Sequence, residues 1–226
     1  MVVERGNAGA LREPRRTLGL IGSQAVVVLR GHLLPAMTSF VTLTFLAAAS
    51  TGGEFGLLVL TAALPVVALL SLALLSGPRF DPAHDLIIAT RTSAGAVLFA
   101  RTTLVLGVTV FLGLIASLGQ ALVGGAQFMA LVLAWLGPTL VIAAGATFLA
   151  QHWRLAPVAV LTLIAWAGVV AWAYLELVGL AASSFTSSSL LRPEPVVVVV
   201  QLIVGALLFG SAWRLARVAS GHEAMA

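Results

Sequence analysis

The sequence contains no cysteine and no lysine, and only 9% of its 226 residues are charged. Without cysteine the chain can form neither a disulfide nor a reactive thiolate. Without lysine it cannot form a Walker A phosphate loop, which requires Gly-Lys-Ser or Gly-Lys-Thr. Any ATP-driven work therefore requires an ATPase on another chain. So little charge also cannot cover the surface of a soluble domain of this length.

Hydrophobic residues make up 60% of the chain and form continuous runs of about 20 residues, the length of a membrane-spanning helix. A transmembrane barrel would show alternating segments of about 10 residues instead. The sequence therefore predicts an all-α membrane protein embedded in lipid. Pro65 and Pro138 fall inside spans and predict kinks there. The predicted spans number six, at about 33–51, 55–76, 97–118, 128–150, 156–178 and 196–213.

The segments outside the spans are basic or polar. Residues 1–32 form a basic lead-in, in which the apolar run 17–29 is too short to cross a bilayer. We expect an interfacial helix there, and the alternative is that this run is the first part of span one. A turn is expected from Gly119 to Gln127, and residues 214–226 form a polar tail.

The arginines predict the orientation. With six spans both termini lie on one side, and that side holds every arginine except Arg192. The positive-inside rule makes the arginine-rich side cytoplasmic. The use of arginine without lysine, with abundant Ala, Val, Gly and Leu, suggests a GC-rich bacterial genome, and we therefore expect the chain in a bacterial cell membrane. Since the arginines lie at membrane boundaries, they do not indicate nucleic-acid binding.

The polar interruption between spans 2 and 3, residues 77–101, has the pattern of a short docking helix. Asp81 and Pro82 are typical of a helix start, and Asp85 adds negative charge near the same positive helix end. The helix is expected to break at residues 90–93 before the next span begins. Its apolar patch consists of Leu86, Ile87 and Ile88.

Few other residues suggest a site. Glu176 is the one acidic residue inside a span, near the outer end of span 5. It is either a carboxylate on a substrate or proton path, or an interfacial residue that pairs with Arg192. No nucleophile motif or paired-carboxylate site is apparent, so we expect no catalytic residue. The histidines lack metal-ligand spacing and are expected to be surface residues: His32, His84, His152 and His222.

In residues 77–101 the chain resembles the permease subunits of type-2 ABC transporters, which are mostly exporters. Many of these carry an acidic helix start, a Leu-Leu-Ala-Thr-Pro-x-Ser-like phrase and, further on, a basic residue. One departure is Arg91, where the family often has proline. The matching residues here are Asp81-Pro82-Ala83-His84-Asp85-Leu86-Ile87-Ile88-Ala89-Thr90, then Arg91-Thr92-Ser93, then Arg101.

The resemblance implies a permease without a cofactor of its own. It would pair with a second permease subunit, identical or different, and would dock a cytoplasmic ATPase that binds ATP and magnesium. The absence of central charge favours an amphipathic or lipid-like cargo. The alternative is a stand-alone secondary carrier or channel that relies on Glu176. The residues of the coupling helix and its flank would be Asp81, Pro82, His84, Asp85, Leu86, Ile87, Thr90, Arg91 and Arg101.

Overall fold

Six helices make up almost all of the part of the chain that the structure, a computed structural model, describes: residues 33–75, 94–124, 127–180 and 195–223. Each contains a segment long and apolar enough to cross a membrane, and no strand occurs in these four ranges. The predicted all-α class, with six helices long and apolar enough to span a membrane, is thereby confirmed. The helices are α1 (Leu33–Thr51), α2 (Gly53–Leu75), α3 (Ala94–Gly124), α4 (Phe128–Ala150), α5 (Leu155–Leu177) and α6 (Pro195–Glu223).

Two helices extend beyond their predicted ends. α3 continues to Gly124, so the turn expected from Gly119 begins too early. Gly119 lies inside the helix, where a Cβ atom would come within 2.8 Å of the Phe45 ring, and it therefore serves close packing with α1. α6 continues to Glu223, through most of the segment predicted as a polar tail from Arg214. The interfacial helix expected in residues 1–32 and the coupling helix expected at residues 81–90 both fall outside the described residues.

Two glycines with positive φ end α1 and α5. Gly52 has φ +64°, and its N–H donates to the Ala48 carbonyl at 3.0 Å. Gly179 has φ +74°, and the bond from Leu180 N–H to the Leu175 carbonyl (2.9 Å) closes a Schellman turn. Because only glycine adopts this conformation without strain, these two positions fix where the helices stop.

The bundle is organised around α4, which packs against α2, α3, α5 and α6, while α1 packs against α2 and α3. In α2 and α4, 50% of the spanning segment is buried, compared with 22% in α1 and α5 and 17% in α6. The main core lies between the first four helices and includes Leu64, Val105 and Trp135. The outer helices leave large apolar side chains exposed, as expected for a bundle whose surroundings are lipid.

The bundle has two ends, the Gly52 end and the Arg154 end. The Gly52 end holds the α1–α2 turn and the last turn of α5, where Phe55 and Tyr174 are in ring contact. The Arg154 end holds the α4–α5 turn and the start of α3. With 31 residues α3 is about 46 Å long, which exceeds the hydrocarbon thickness of about 30 Å. α3 therefore tilts or projects beyond the lipid.

Candidate functional site

Of the candidate site residues predicted from the sequence, the structure describes Arg101 and Glu176. The others, Asp81, Pro82, His84, Asp85, Leu86, Ile87, Thr90 and Arg91, lie outside the described residues.

Arg101 lies two turns into α3, near the Arg154 end, and is only 5% exposed. Its neighbour in sequence, Thr102, is fully buried and shares a 3.0 Å hydrogen bond with the Thr147 hydroxyl of α4. A ring cluster lies close to it in sequence, because Phe99 contacts Phe209 and Trp213 of α6 with ring centres 4.5 and 4.6 Å apart. Arg101 is thus an interior residue of the helix bundle and is not displayed on its surface.

Glu176 is half-buried in the last turn of α5, at the Gly52 end. Its Oε1 accepts a 2.7 Å hydrogen bond from the indole N–H of Trp172, one turn earlier on the same helix. Arg101 lies near the opposite end of the bundle. The two charges therefore cannot form one intramembrane ion pair.

Neutral polar side chains inside the bundle join the helices, and they were not among the residues predicted from the sequence to form a site. Between α3 and α4, the Trp135 indole donates to the Ser117 hydroxyl at 2.9 Å. Between α3 and α1, Gln120 Nε2 donates to the Ala48 carbonyl at 3.3 Å. Polar residues within a long apolar run were the sequence signal for such contacts.

A second set of contacts surrounds the proline of α2. Pro65 has no N–H, so the Thr61 carbonyl loses its helical donor. Donors from neighbouring helices commonly compensate such disturbed turns in membrane proteins. Here the Trp166 indole of α5 donates to the adjacent Ala62 carbonyl at 2.9 Å. This bond connects α5 to the proline turn of α2.

The proline of α4 has an arrangement of its own. Gly137 precedes Pro138, and Gln201 of α6 packs so closely on it that a Cβ atom at Gly137 would overlap the Gln201 amide oxygen. The Thr139 hydroxyl donates to the carbonyl of Trp135, one helical turn earlier, at 2.7 Å. The only span-interior amide of α6 is thus placed against the proline turn of the central helix.

The described interior is suited to holding the helices together, since its polar groups are mostly neutral donors and acceptors. Charged residues within the spanning segments of the four described ranges are Arg101, Glu176 and, at the end of α6, Arg214. No group of three or more His, Asp or Glu residues in those ranges could hold a metal ion.

Comparisons with known proteins add no identification: no protein-family model, no curated protein and no solved structure matches the chain.

Proposed function

We propose that this chain is the membrane-spanning subunit of an ATP-driven exporter and works with a separate ATPase subunit. The observation that carries the proposal is the sequence between α2 and α3. It combines an acidic, proline-containing helix start at Asp81 with an apolar patch and a basic residue at Arg101, in the pattern of type-2 ABC permeases. The absence of lysine supports a division of labour with an ATPase on another chain.

In the proposed mechanism the segment Asp81–Thr90 acts as a coupling helix, which transmits force from the ATPase to the membrane helices. This segment connects α2 to α3, and both helices belong to the core that packs on α4. A push on the segment would therefore reach the two proline-containing helices at the centre of the bundle. The buried position of Arg101 favours a role in anchoring the start of α3 over a direct contact with the ATPase.

The cargo and the assembly follow from the same proposal. A permease of this kind pairs with a second copy or a related permease, and the arginine-rich Arg154 end faces the cytoplasm of a bacterial cell. The described interior has no chain of ionisable groups along its centre, which supports an amphipathic or lipid-like cargo.

The test of this function is co-purification of ATPase activity. The tagged wild-type chain, extracted from its native membrane, is expected to retain a nucleotide-hydrolysing subunit. Asp81→Arg with Leu86→Arg should abolish that activity, since it reverses the charge at the helix start and places a charge in the apolar patch. His152→Arg, an exposed change in the α4–α5 turn at the same end, is the matched control and should leave it unchanged. Wild-type chain without any ATPase, or a double variant that keeps it, contradicts the proposal.

The alternative is a stand-alone carrier that uses Glu176. The variant Glu176→Gln distinguishes this carrier from an ATP-driven permease. The amide keeps an oxygen that accepts the Trp172 N–H, so the local structure of α5 should persist. For an ATP-driven permease we expect export of an amphipathic dye that the wild-type chain moves to continue at a similar rate. If export by the wild-type chain depends on pH and Glu176→Gln abolishes export, the result favours the carrier.

A further inference from the structure

The hydroxyl of Thr61 differs from nearly all other threonine hydroxyls in the bundle. It is fully buried, at 0% exposure, and has no hydrogen-bond partner within the described part of the chain. Thr109 is the one other described threonine with this property. Every remaining described threonine hydroxyl lies within hydrogen-bonding distance of the carbonyl four residues earlier, and those of Thr102 and Thr147 also contact each other. Leaving a buried hydroxyl without a partner is costly, so these two exceptions require a physical explanation.

Thr61 also carries a second polar group, its carbonyl, that lacks its regular helical donor. Its carbonyl would accept from residue 65 in a regular helix, and Pro65 has no N–H. An unpartnered hydroxyl and a carbonyl without its regular helical donor thus belong to the same residue. The adjacent Ala62 carbonyl accepts from Trp166, so that group already has a partner from α5.

We propose that the Thr61–Pro65 turn of α2 binds one buried water molecule. The water accepts from or donates to the Thr61 hydroxyl and donates to the Thr61 carbonyl, and so satisfies both groups. A buried water needs at least two polar partners, and Thr61 supplies both. The inference stands apart from the proposed function, because it requires only the described packing of α2.

Thr109 provides a matched control within the chain. Its hydroxyl is equally buried and equally without a partner. Its carbonyl lies in the uninterrupted helix α3 and keeps the N–H of Gly113 as its helical donor. A water at Thr109 would therefore have a single partner from that residue, which does not hold it.

The test combines two valine substitutions with a map that resolves water. Thr61→Val should lower the folding equilibrium constant in bicelles about tenfold, because it removes the water and leaves the carbonyl without a donor. Thr109→Val should leave that constant unchanged or raise it, since a methyl group replaces an unpaired hydroxyl. A high-resolution density map of the wild-type protein should show one ordered water peak within hydrogen-bonding distance of the Thr61 hydroxyl and the Thr61 carbonyl. The density map of Thr61→Val should lack this peak.

Pro65→Ala provides a second, independent variant. It returns an N–H to the Thr61 carbonyl, so adding Thr61→Val should then change the folding constant by less than about twofold. Three results would each overturn the proposal: equal effects of Thr61→Val and Thr109→Val, a tenfold loss that persists in the Pro65→Ala background, or a wild-type map that shows other buried waters and none at Thr61. A peak too large for water would assign the site to a different molecule and also refute it.

Discussion

At the scale of single residues, glycine positions differ sharply in what surrounds them. Gly113 of α3 faces Trp135, and a Cβ atom there would lie 2.7 Å from two carbons of the indole ring. Trp135 is fully buried, and its indole N–H donates to the Ser117 hydroxyl at 2.9 Å. The ring therefore has little freedom to move away. Gly113 is therefore required by the packing of α3 on α4.

We expect Gly113→Ala to destabilise the bundle by about 1–3 kcal/mol, the usual cost of overpacking a rigid core. The control is Gly107→Ala on the same helix, where a Cβ atom would meet nothing within 4 Å. That variant should be neutral or should gain up to about 1 kcal/mol from helix propensity. Equilibrium unfolding of both variants in the same detergent measures the difference, and equal stabilities would contradict the packing argument.

Arg101 shows how the setting of a residue changes its interpretation. The sequence placed it among the arginines of one membrane boundary, whereas the structure places it inside α3 with 5% exposure. Its part in coupling to an ATPase stays a prediction. A buried cation is nevertheless better suited to fixing the first turns of α3 than to meeting a partner at the surface.

At the scale of elements, α5 is a peripheral helix held by two neighbours, α2 and α4. Most of its spanning segment is exposed, and its one cross-helix hydrogen bond among those described runs from Trp166 to the Ala62 carbonyl. The attachment of α5 to α2 therefore depends strongly on this indole.

Trp166→Phe should weaken that attachment, with a loss of about 1 kcal/mol for the missing hydrogen bond. Amide exchange in α5 should accelerate while exchange in α3 and α4 stays unchanged. Trp172→Phe is the control on the same helix, since the Trp172 bond to Glu176 is local to α5. Similar exchange in the two variants would show that the bond to α2 does not hold the helix.

At the scale of the whole molecule, the orientation in the membrane is open to a direct test because the chain has no cysteine. Gln127, at the Gly52 end, and Trp153, at the Arg154 end and 62% exposed, both accept a single cysteine on the surface. If the Arg154 end is cytoplasmic, an impermeant maleimide should label Gln127→Cys in intact cells. Trp153→Cys should be labelled only after permeabilisation, and the reverse pattern would invert the proposed topology.

The local sequence was sufficient to predict that six helices form, although not where each of them ends. A run of about 20 apolar residues in lipid must satisfy its backbone hydrogen bonds internally, and a helix does so with no help from the rest of the chain. This is why α1 and α4 occupy the same residues as the first and fourth predicted spans. The end of α3 was misplaced because Gly119 was interpreted as a turn residue, whereas its role is contact with Phe45.

The tertiary structure alone decided which faces meet. The spans are apolar on all sides, so their sequences carry little information about the buried face, and the central position of α4 could not be read from them. The unpaired hydroxyl of Thr61 and the interior position of Arg101 could not be predicted from the sequence either, because both depend on neighbours distant in sequence. The sequence by itself determined that six helices form, because helix formation in lipid is local. Only packing determined which polar groups find partners, because those partners come from other helices.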